Sequence, residues 1–153
     1  WRIGGVCGHE RLVRAFADIK DNCDSGQFIA IQKAAIAGLD DVLIPERIRA
    51  KYERRLEKLV AMLRHCGFEC AMPGGTYFLY TSSPKGLEGG PTFDTAEAAS
   101  QYLITEQSIC TVPWDDAGPY LRFSVTYEAA DEAAEDALMA QTEERLKQLR
   151  PVF

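Results

Sequence analysis

The spacing of apolar residues changes once along the chain, near Gly67. Before this point apolar residues recur every three or four positions, as in helices that bury one face. This spacing predicts helices over residues 9–21, 27–39 and 44–67, preceded by an apolar strand at 1–7. The third helix has a proline in its first turn, Pro45, and Gly67 as its C-terminal stop.

After Gly67 the pattern alternates between strand and helix. Predicted strands lie at 70–83, 108–113 and 119–127, and predicted helices lie at 94–107 and 129–149. In the helix at 94–107, Asp94 is the expected N-cap, with Glu97 three residues later as in a capping box. The order strand, helix, strand, strand, helix predicts a small open α/β layer.

In two of the predicted helices, the pattern of residues indicates how exposed the helix is. The helix at 27–39 is apolar on nearly every side, so we expect it to be well buried. The helix at 44–67 interleaves glutamates with basic residues, which are Arg47, Arg49, Lys51, Arg54, Arg55, Lys58 and Arg64. This arrangement is compatible with phosphate binding, but it favours a solvated face held by ion pairs four residues apart.

The composition is typical of a soluble globular protein, since 46% of the 153 residues are hydrophobic and 26% are charged. The net charge of −6 argues against a general nucleic-acid binder. No apolar run approaches the roughly 20 residues that span a bilayer. The five cysteines are irregularly spaced, which predicts free thiols and a cytoplasmic location, and we expect no metal site because no Cys-x2-Cys pair is present.

The segment PYLRFSVTY, residues 119–127, places a charged residue, Arg122, within a predicted strand. Its apolar residues alternate with polar ones and share one face of a strand: Leu121, Phe123 and Val125. Arg122 lies on the other face and is permanently charged, so it must reach solvent or pair with an anion. A bound anion is one candidate, and the local acids are others: Asp115, Asp116 and Glu128. The strand pattern alone leaves both open.

Five segments occur in the order in which one enzyme family has them: WRIGGVCG, NCDSGQF, the helix at 44–67, PGGTYFLY and PYLRFSVT. Over essentially all 153 residues the chain resembles the C-terminal portion of class I and II aminotransferases, which are pyridoxal-phosphate enzymes of the aspartate-aminotransferase fold, fold type I. Within that family, SICTVPWDDAGPYLRFSVTY is most similar to LL-diaminopimelate aminotransferases. The resemblance implies the end of a large cofactor-binding domain at 1–43, a connecting helix at 44–67 and a small α/β domain at 68–153.

The resemblance also implies roles for particular residues. Arg122 would bind the α-carboxylate of the substrate, and Arg2 in WRIGG would bind the cofactor phosphate. Ser25 would reach the cofactor phosphate of a partner subunit in a homodimer, although Ser25 and Asp24 are also candidates to cap the following helix. Trp114 and the two acids after it would close over the far end of the substrate, or form an ordinary acidic turn. The implied substrates are an amino acid, with LL-diaminopimelate as the candidate, and a 2-oxo acid.

No catalytic residue is assigned within the chain. In the family, the aldimine lysine precedes the arginine that corresponds to Arg2, and the aspartate that binds the cofactor ring lies farther upstream. Lys20 and Lys33 do not match the position of that lysine. We therefore expect this polypeptide to be a fragment that does not catalyse transamination by itself.

Three other functions stay open from the sequence. Lyases, decarboxylases and racemases of the same fold would use the same arginines. An effector-binding domain of a transcriptional regulator would be distinguished by a basic helix-turn-helix segment upstream. A free-standing interaction module would lack a large exposed apolar surface, and the apolar segments at 1–7 and 27–39 predict the opposite.

Overall fold

The polypeptide forms two compact units, Trp1–Ile48 and Arg49–Phe153, and the computed structural model describes residues 2–153. The five helices and five strands of these described residues are mixed in the order α1, α2, α3, β1, β2, α4, β3, β4, α5, β5. The predicted α/β class is confirmed. The domain boundaries at residues 43 and 67 stay a prediction.

The first unit is helical. It contains α1 (Glu10–Cys23), α2 (Ile29–Asp40) and the beginning of α3 (Leu43–His65), and the helices predicted at 9–21 and 27–39 are confirmed in type and position. The strand predicted at 1–7 is wrong for residues 2–7, which have no regular structure, and Trp1 lies outside the described residues. A strand needs a hydrogen-bonded neighbour, and residues 2–153 supply none for this segment.

The prediction that the second helix is well buried is also wrong for this chain. No residue of α2 is buried within the part of the chain that the structure describes. Large apolar side chains of and around this helix face solvent: Phe28, Ile29, Ile36, Leu39, Val42 and Leu43. The helix is apolar as predicted, but burial depends on a covering surface that these residues do not meet.

The second unit is built on a three-stranded antiparallel sheet with the strand order β1-β4-β3. Its strands are β1 (Phe78–Ser82), β3 (Val112–Trp114) and β4 (Tyr120–Ser124). A second pair joins β2 (Gly86–Leu87) to β5 (Pro151–Val152), and sequence reasoning missed both of these short strands. The helices are α4 (Ala96–Gln107), α5 (Glu132–Lys147) and the remainder of α3.

The core lies on one face of the sheet. The predicted alternation on β4 is confirmed, because Leu121, Phe123 and Val125 are all buried. They meet apolar side chains of the three helices and β1 in a single cluster, which includes Leu56, Leu59, Leu63, Leu79, Leu103 and Leu146. Burying a leucine of this kind stabilises the fold by about 1.5–3 kcal/mol. This layer holds β4 at the centre of the unit.

The caps show where local reasoning succeeded and failed. Gly67, predicted as the stop of α3, has a φ of +88°, which favours glycine. Asp94, however, is not the cap of α4. Thr95 occupies that position, and its hydroxyl accepts a hydrogen bond of 3.1 Å from the amide of Ala98.

Candidate functional site

The outer face of the three-stranded sheet, opposite the core, carries an unusual number of aromatic rings. The side chains that alternate with the core set form this outer face: Phe78, Tyr80, Ser82, Val112, Trp114, Tyr120, Arg122 and Ser124. Tyr80 and Trp114 leave 45% and 37% of their surface exposed. Exposed rings concentrated on one face are typical of a binding surface.

Arg122 lies at the centre of this outer face. Its register partners are Tyr80 on β1 and Val112 on β3. The guanidinium carbon lies 4.2 Å from the ring centroid of Phe78 and 5.8 Å from that of Trp114. Aromatic faces attract a cation, but they carry no net charge that could neutralise it.

The local acids do not neutralise Arg122. Within residues 2–153, no carboxylate lies at ion-pair distance from its guanidinium. Asp115 instead accepts hydrogen bonds from the first amides of α4, 2.7 Å from Ala96 N and 3.1 Å from Glu97 N. Asp115 is thereby committed to the helix N-terminus, as an acidic turn would be, and Arg122 stays available for an external anion.

Arg122 is carried on a firmly held strand. β4 is bonded to neighbours on both edges, and its flanks are also tied: Ser83 N donates to Pro119 O at 2.7 Å, and Val125 N donates to Tyr77 O at 3.1 Å. A planar guanidinium can pair with a carboxylate through two parallel hydrogen bonds. A fixed strand makes the direction of those bonds predictable, which is what an orienting site requires.

Beyond the end of β4, a buried cluster of charges links three segments. Arg55 of α3 is 2% exposed and Glu135 of α5 is 3% exposed, and Arg55 Nε donates to Glu135 Oε1 at 2.6 Å. Arg54 also contacts Glu135, at 3.2 Å, and Lys58 lies 3.7 Å from it. The interpretation of α3 as a solvated basic face is therefore wrong for Arg55, although the exposed pair Arg49–Glu53, at 2.5 Å, fits it.

The cluster shifts the titration of its members. Burial alone raises the pKa of Glu135, but hydrogen bonds from Arg55 and Arg54 outweigh burial, so the net pKa is below the ordinary value. A hydrogen bond to Asp136 raises the pKa of Lys58. The pKa of Tyr127 is raised by burial and further by the Glu135 charge. These shifts keep Glu135 ionised and Lys58 protonated at neutral pH.

The other two predicted site residues, Arg2 and Ser25, belong to the first unit, whereas Arg122 belongs to the second. Arg2 and Ser25 are exposed, and neither side chain hydrogen-bonds or ion-pairs with any other residue in the range 2–153. The alternative role of Asp24 or Ser25 as a cap for α2 is wrong, because Phe28 occupies the N-cap position. Asp24 instead bonds Lys20 and the Gly26 amide, which lower its pKa in that order.

A guanidinium and a hydroxyl without internal partners suit a phosphate. Arg2 offers permanently charged donors, and Ser25 offers a hydroxyl beside Gly26, whose φ is +109°. The one acid adjacent to Ser25, Asp24, is already engaged by Lys20. Arg2 and Ser25 thus offer donors of the type that a phosphate accepts, and phosphate is the group through which a pyridoxal-phosphate cofactor would be anchored.

Metal-ligating side chains do not form a centre of their own. Across the described range, no three His, Cys, Asp or Glu side chains are grouped so that they could hold a metal ion. The cysteines are free thiols, and burial raises the pKa of Cys66 and Cys70. Over residues 2–153, no helix combines the length and apolar character required to cross a membrane.

Sequence reasoning singled out Arg122 and Trp114 but not Phe78 or Tyr80. Phe78 and Tyr80 could have been assigned to the outer face from their alternation with Leu79, because a strand reverses its side chains at each residue. Arg55 and Glu135 had no comparable signal. They are 80 positions apart, and each looks locally like an exposed residue of a charged helix.

Comparison with solved structures defines the fold. The chain superimposes on BacF from Bacillus subtilis with a TM-score of 0.76 at 22% identity, covering 95% of this chain and 35% of that one. It superimposes on an aspartate aminotransferase from Rhizobium meliloti with a TM-score of 0.74 at 20% identity, covering 92% and 36%. The fold is that of the fold-type I aminotransferases, in a segment that corresponds to their C-terminal part.

Sequence comparison then identifies the family. Residues 1–138 match the model of the aminotransferase class I and II family, and the chain belongs to this family, whose enzymes depend on pyridoxal phosphate. It is 47% identical to an LL-diaminopimelate aminotransferase of Methanococcus maripaludis over all of this chain and 38% of that protein. It is 54% identical to one of Methanocaldococcus jannaschii over 86% of this chain and 31% of that protein. The chain thus spans about a third of the length of these relatives.

Proposed function

We propose that this chain supplies the substrate-carboxylate site and part of the cofactor-phosphate site of a pyridoxal-phosphate-dependent aminotransferase. The enzyme transfers an amino group between an amino acid and a 2-oxo acid, and LL-diaminopimelate is the candidate amino acid. The observation that carries the proposal is Arg122, a half-buried cation among aromatic rings with no carboxylate partner in the described part of the chain. The names of the relatives at 47% and 54% identity support the choice of amino acid.

Arg122 binds and orients the substrate. Its guanidinium pairs with the α-carboxylate through two parallel hydrogen bonds, which fix the carboxylate plane as well as its position. Fixing that plane sets the direction of the bonds at the substrate's Cα relative to a bound cofactor. Phe78 and Trp114 hold the guanidinium from the side and limit its access to water, which strengthens the ion pair.

Arg2 and Ser25 hold the phosphate of the cofactor. When bound, pyridoxal phosphate supplies the electron sink for chemistry at Cα and carries the amino group between the two substrates. Arg2 contributes charged donors to the phosphate and Ser25 a hydroxyl donor. Neither group moves a proton at the reacting carbon, so both act by binding.

The assembly and location of the protein form part of the proposal. We propose a cytoplasmic homodimer in which Ser25 contacts the phosphate bound by the partner subunit, and whose partners are small molecules and not nucleic acid or membrane. The free thiols support the cytoplasmic location, and the net charge of −6 argues against nucleic acid as a partner. Sedimentation of the purified protein at several concentrations would test the dimer, and a monomer at all of them would contradict it.

The test of Arg122 uses the polypeptide translated from the complete reading frame that contains residues 1–153. Isothermal titration calorimetry compares 3-phenylpropionate with its neutral amide for the wild type and for Arg122→Lys. Lysine keeps the charge but loses the planar pair of donors, so the carboxylate should bind about tenfold more weakly, or about 1.4 kcal/mol. The amide should bind equally to both proteins. Equal carboxylate affinity in both proteins would rule out the carboxylate site.

A second measurement tests the reaction. The protein is incubated with LL-diaminopimelate and a 2-oxo acid, and the amino acid formed from the oxo acid is quantified. Transamination predicts one new amino acid for each amino group lost. Loss of the amino acid without amination of the oxo acid would identify a lyase or racemase of the same fold and would contradict the proposal.

A further inference from the structure

We propose that Arg55 is a positioning residue for the substrate-carboxylate site, because it ties the strand that carries Arg122 to helix α3. The inference rests on the proposed function of Arg122. It concerns a residue that the carboxylate does not touch and that is therefore not a catalytic residue.

The contacts of Arg55 are directed at the segment that follows β4. Arg55 Nη1 donates to Val125 O at 3.0 Å and to Tyr127 O at 2.7 Å. The guanidinium carbon also lies 4.3 Å from the ring centroid of Tyr127. These residues come three and five positions after Arg122, directly beyond the end of the strand.

The sheet holds this segment only at its beginning: within residues 2–153, Val125 N donates to Tyr77 O at 3.1 Å. The pairing of β4 with β1 ends at Ser124, and the pairing with β3 covers only Tyr120 to Arg122. Arg55 supplies two hydrogen bonds from α3 to this segment, to Val125 O and Tyr127 O. Loss of these bonds would free the C-terminal end of β4 from the helix and allow Arg122 to shift.

Glu135 holds the other edge of the same guanidinium. The bond from Arg55 Nε to Glu135 Oε1 is 2.6 Å, and both side chains are buried. Arg55 therefore presents one edge to a carboxylate of α5 and another nitrogen to two backbone carbonyls. The three N–H donors of a lysine ammonium share one nitrogen and cannot span these acceptors, so Arg55→Lys should release the segment while keeping the charge.

The chain offers a matched control on the same helix. Arg64 also donates from its guanidinium to a backbone carbonyl, that of Cys70, at 3.0 Å and 2.8 Å. That contact lies away from β4. Arg64→Lys thus makes the same chemical change in a contact of the same type without touching the strand that carries Arg122.

The experiment measures carboxylate selectivity in the holoprotein made from the complete reading frame. The dissociation constants of 3-phenylpropionate and of its neutral amide are compared in wild type, Arg55→Lys, Arg64→Lys and Arg122→Lys, at a temperature where circular dichroism shows each to be folded. We expect Arg55→Lys to weaken the carboxylate about tenfold and leave the amide unchanged, because two aligned charged hydrogen bonds depend on position. Arg64→Lys should change neither ligand.

The outcomes separate the two proposals. If Arg122→Lys weakens carboxylate binding and Arg55→Lys does not, the positioning role of Arg55 is overturned and the function of Arg122 stands. If Arg122→Lys has no effect, the proposed function fails first. An equal loss for the carboxylate and the amide in Arg55→Lys would also overturn the inference, since it indicates general loosening.

A second variant covers the case in which Arg55→Lys does not fold. Glu135→Gln leaves Arg55 in place but weakens the hold on its other edge. Carboxylate affinity should fall about threefold, because a neutral acceptor bonds a guanidinium less strongly than a charged one. Unchanged affinity in a folded Glu135→Gln protein would overturn the role of Arg55.

Discussion

The buried carboxylate of Glu135 makes a quantitative prediction about stability. Glu135→Gln keeps the shape and one acceptor oxygen but removes the charge that faces Arg55, Arg54 and Lys58. The bond to Arg55 joins two buried groups, and a hydrogen bond to a charged group contributes about 1.5–3 kcal/mol. The contact with Arg54, which is about a third exposed, adds about 0.5–1 kcal/mol after screening by solvent.

These terms predict that Glu135→Gln lowers the free energy of unfolding by about 2–4 kcal/mol at neutral pH. Removing one partner of a buried ion pair usually costs roughly 3–5 kcal/mol. The loss expected for Glu135→Gln stays below the upper end of that range, because glutamine retains an acceptor oxygen. The matched control is Asp136→Asn on the same helix. Asp136 pairs with Lys58 at 2.6 Å but is exposed, so its loss should change the free energy by less than about 1 kcal/mol.

The prediction has a defined pH dependence. The pKa of Glu135 in the folded protein is below its ordinary value, so its stabilising effect is present above that ordinary value and is lost as the pH falls through the folded pKa. The difference between wild type and Glu135→Gln should therefore be largest near neutral pH. It should begin to shrink below the ordinary glutamate pKa of about 4.3, where the unfolded chain takes up a proton, and it should vanish only below the lower folded pKa, where Glu135 itself is protonated and resembles glutamine.

The assay is equilibrium urea unfolding followed by far-ultraviolet circular dichroism, repeated from neutral to acid pH. The dependence of the free energy on urea should be the same in all variants, so that midpoints can be compared. A loss below about 1 kcal/mol at neutral pH, or a loss that does not change with pH, would refute the stabilising role of the Glu135 charge.

Two further predictions concern local structure and use the same unfolding assay. Thr95→Ala should cost about 0.5–2 kcal/mol by removing the cap of α4, whereas Asp94→Ala should cost much less; the reverse order would restore Asp94 as the cap. Gly118→Ala should cost more than about 1 kcal/mol, because φ is +124° and a Cβ would lie 2.7 Å from the Tyr120 ring. Gly74→Ala, where a Cβ meets nothing within 4 Å, is its control, and equal effects of the two would contradict the steric argument.

The class of fold and the position of Arg122 on the outer face of β4 could be predicted from local pattern. The alternation around Arg122 predicted a strand with an apolar inner face, and the buried Leu121 and Phe123 confirm it. The prediction of a strand at residues 1–7 was wrong for residues 2–7, because an apolar run forms a strand only if another strand pairs with it. The predicted cap of α4 was wrong by one residue. Asp94 and Thr95 are both residue types favoured at N-caps, and the backbone geometry determines which of them caps the helix.

The sequence by itself determined the five helices, the strands β1, β3 and β4, and the faces of β4, because these depend on spacings within a few residues. It also carried the motifs by which the family is recognised. Only the tertiary structure decided that Asp115 accepts hydrogen bonds from the first amides of α4, and that Arg55 is buried against Glu135. Within residues 2–153, no carboxylate then pairs with Arg122. Those outcomes depend on which distant segments meet in the folded chain. Arg55 and Glu135, for example, are 80 residues apart in the sequence. Whether a charge is paired depends on its neighbours in space, and the residues next to it in the sequence do not specify which groups those neighbours are.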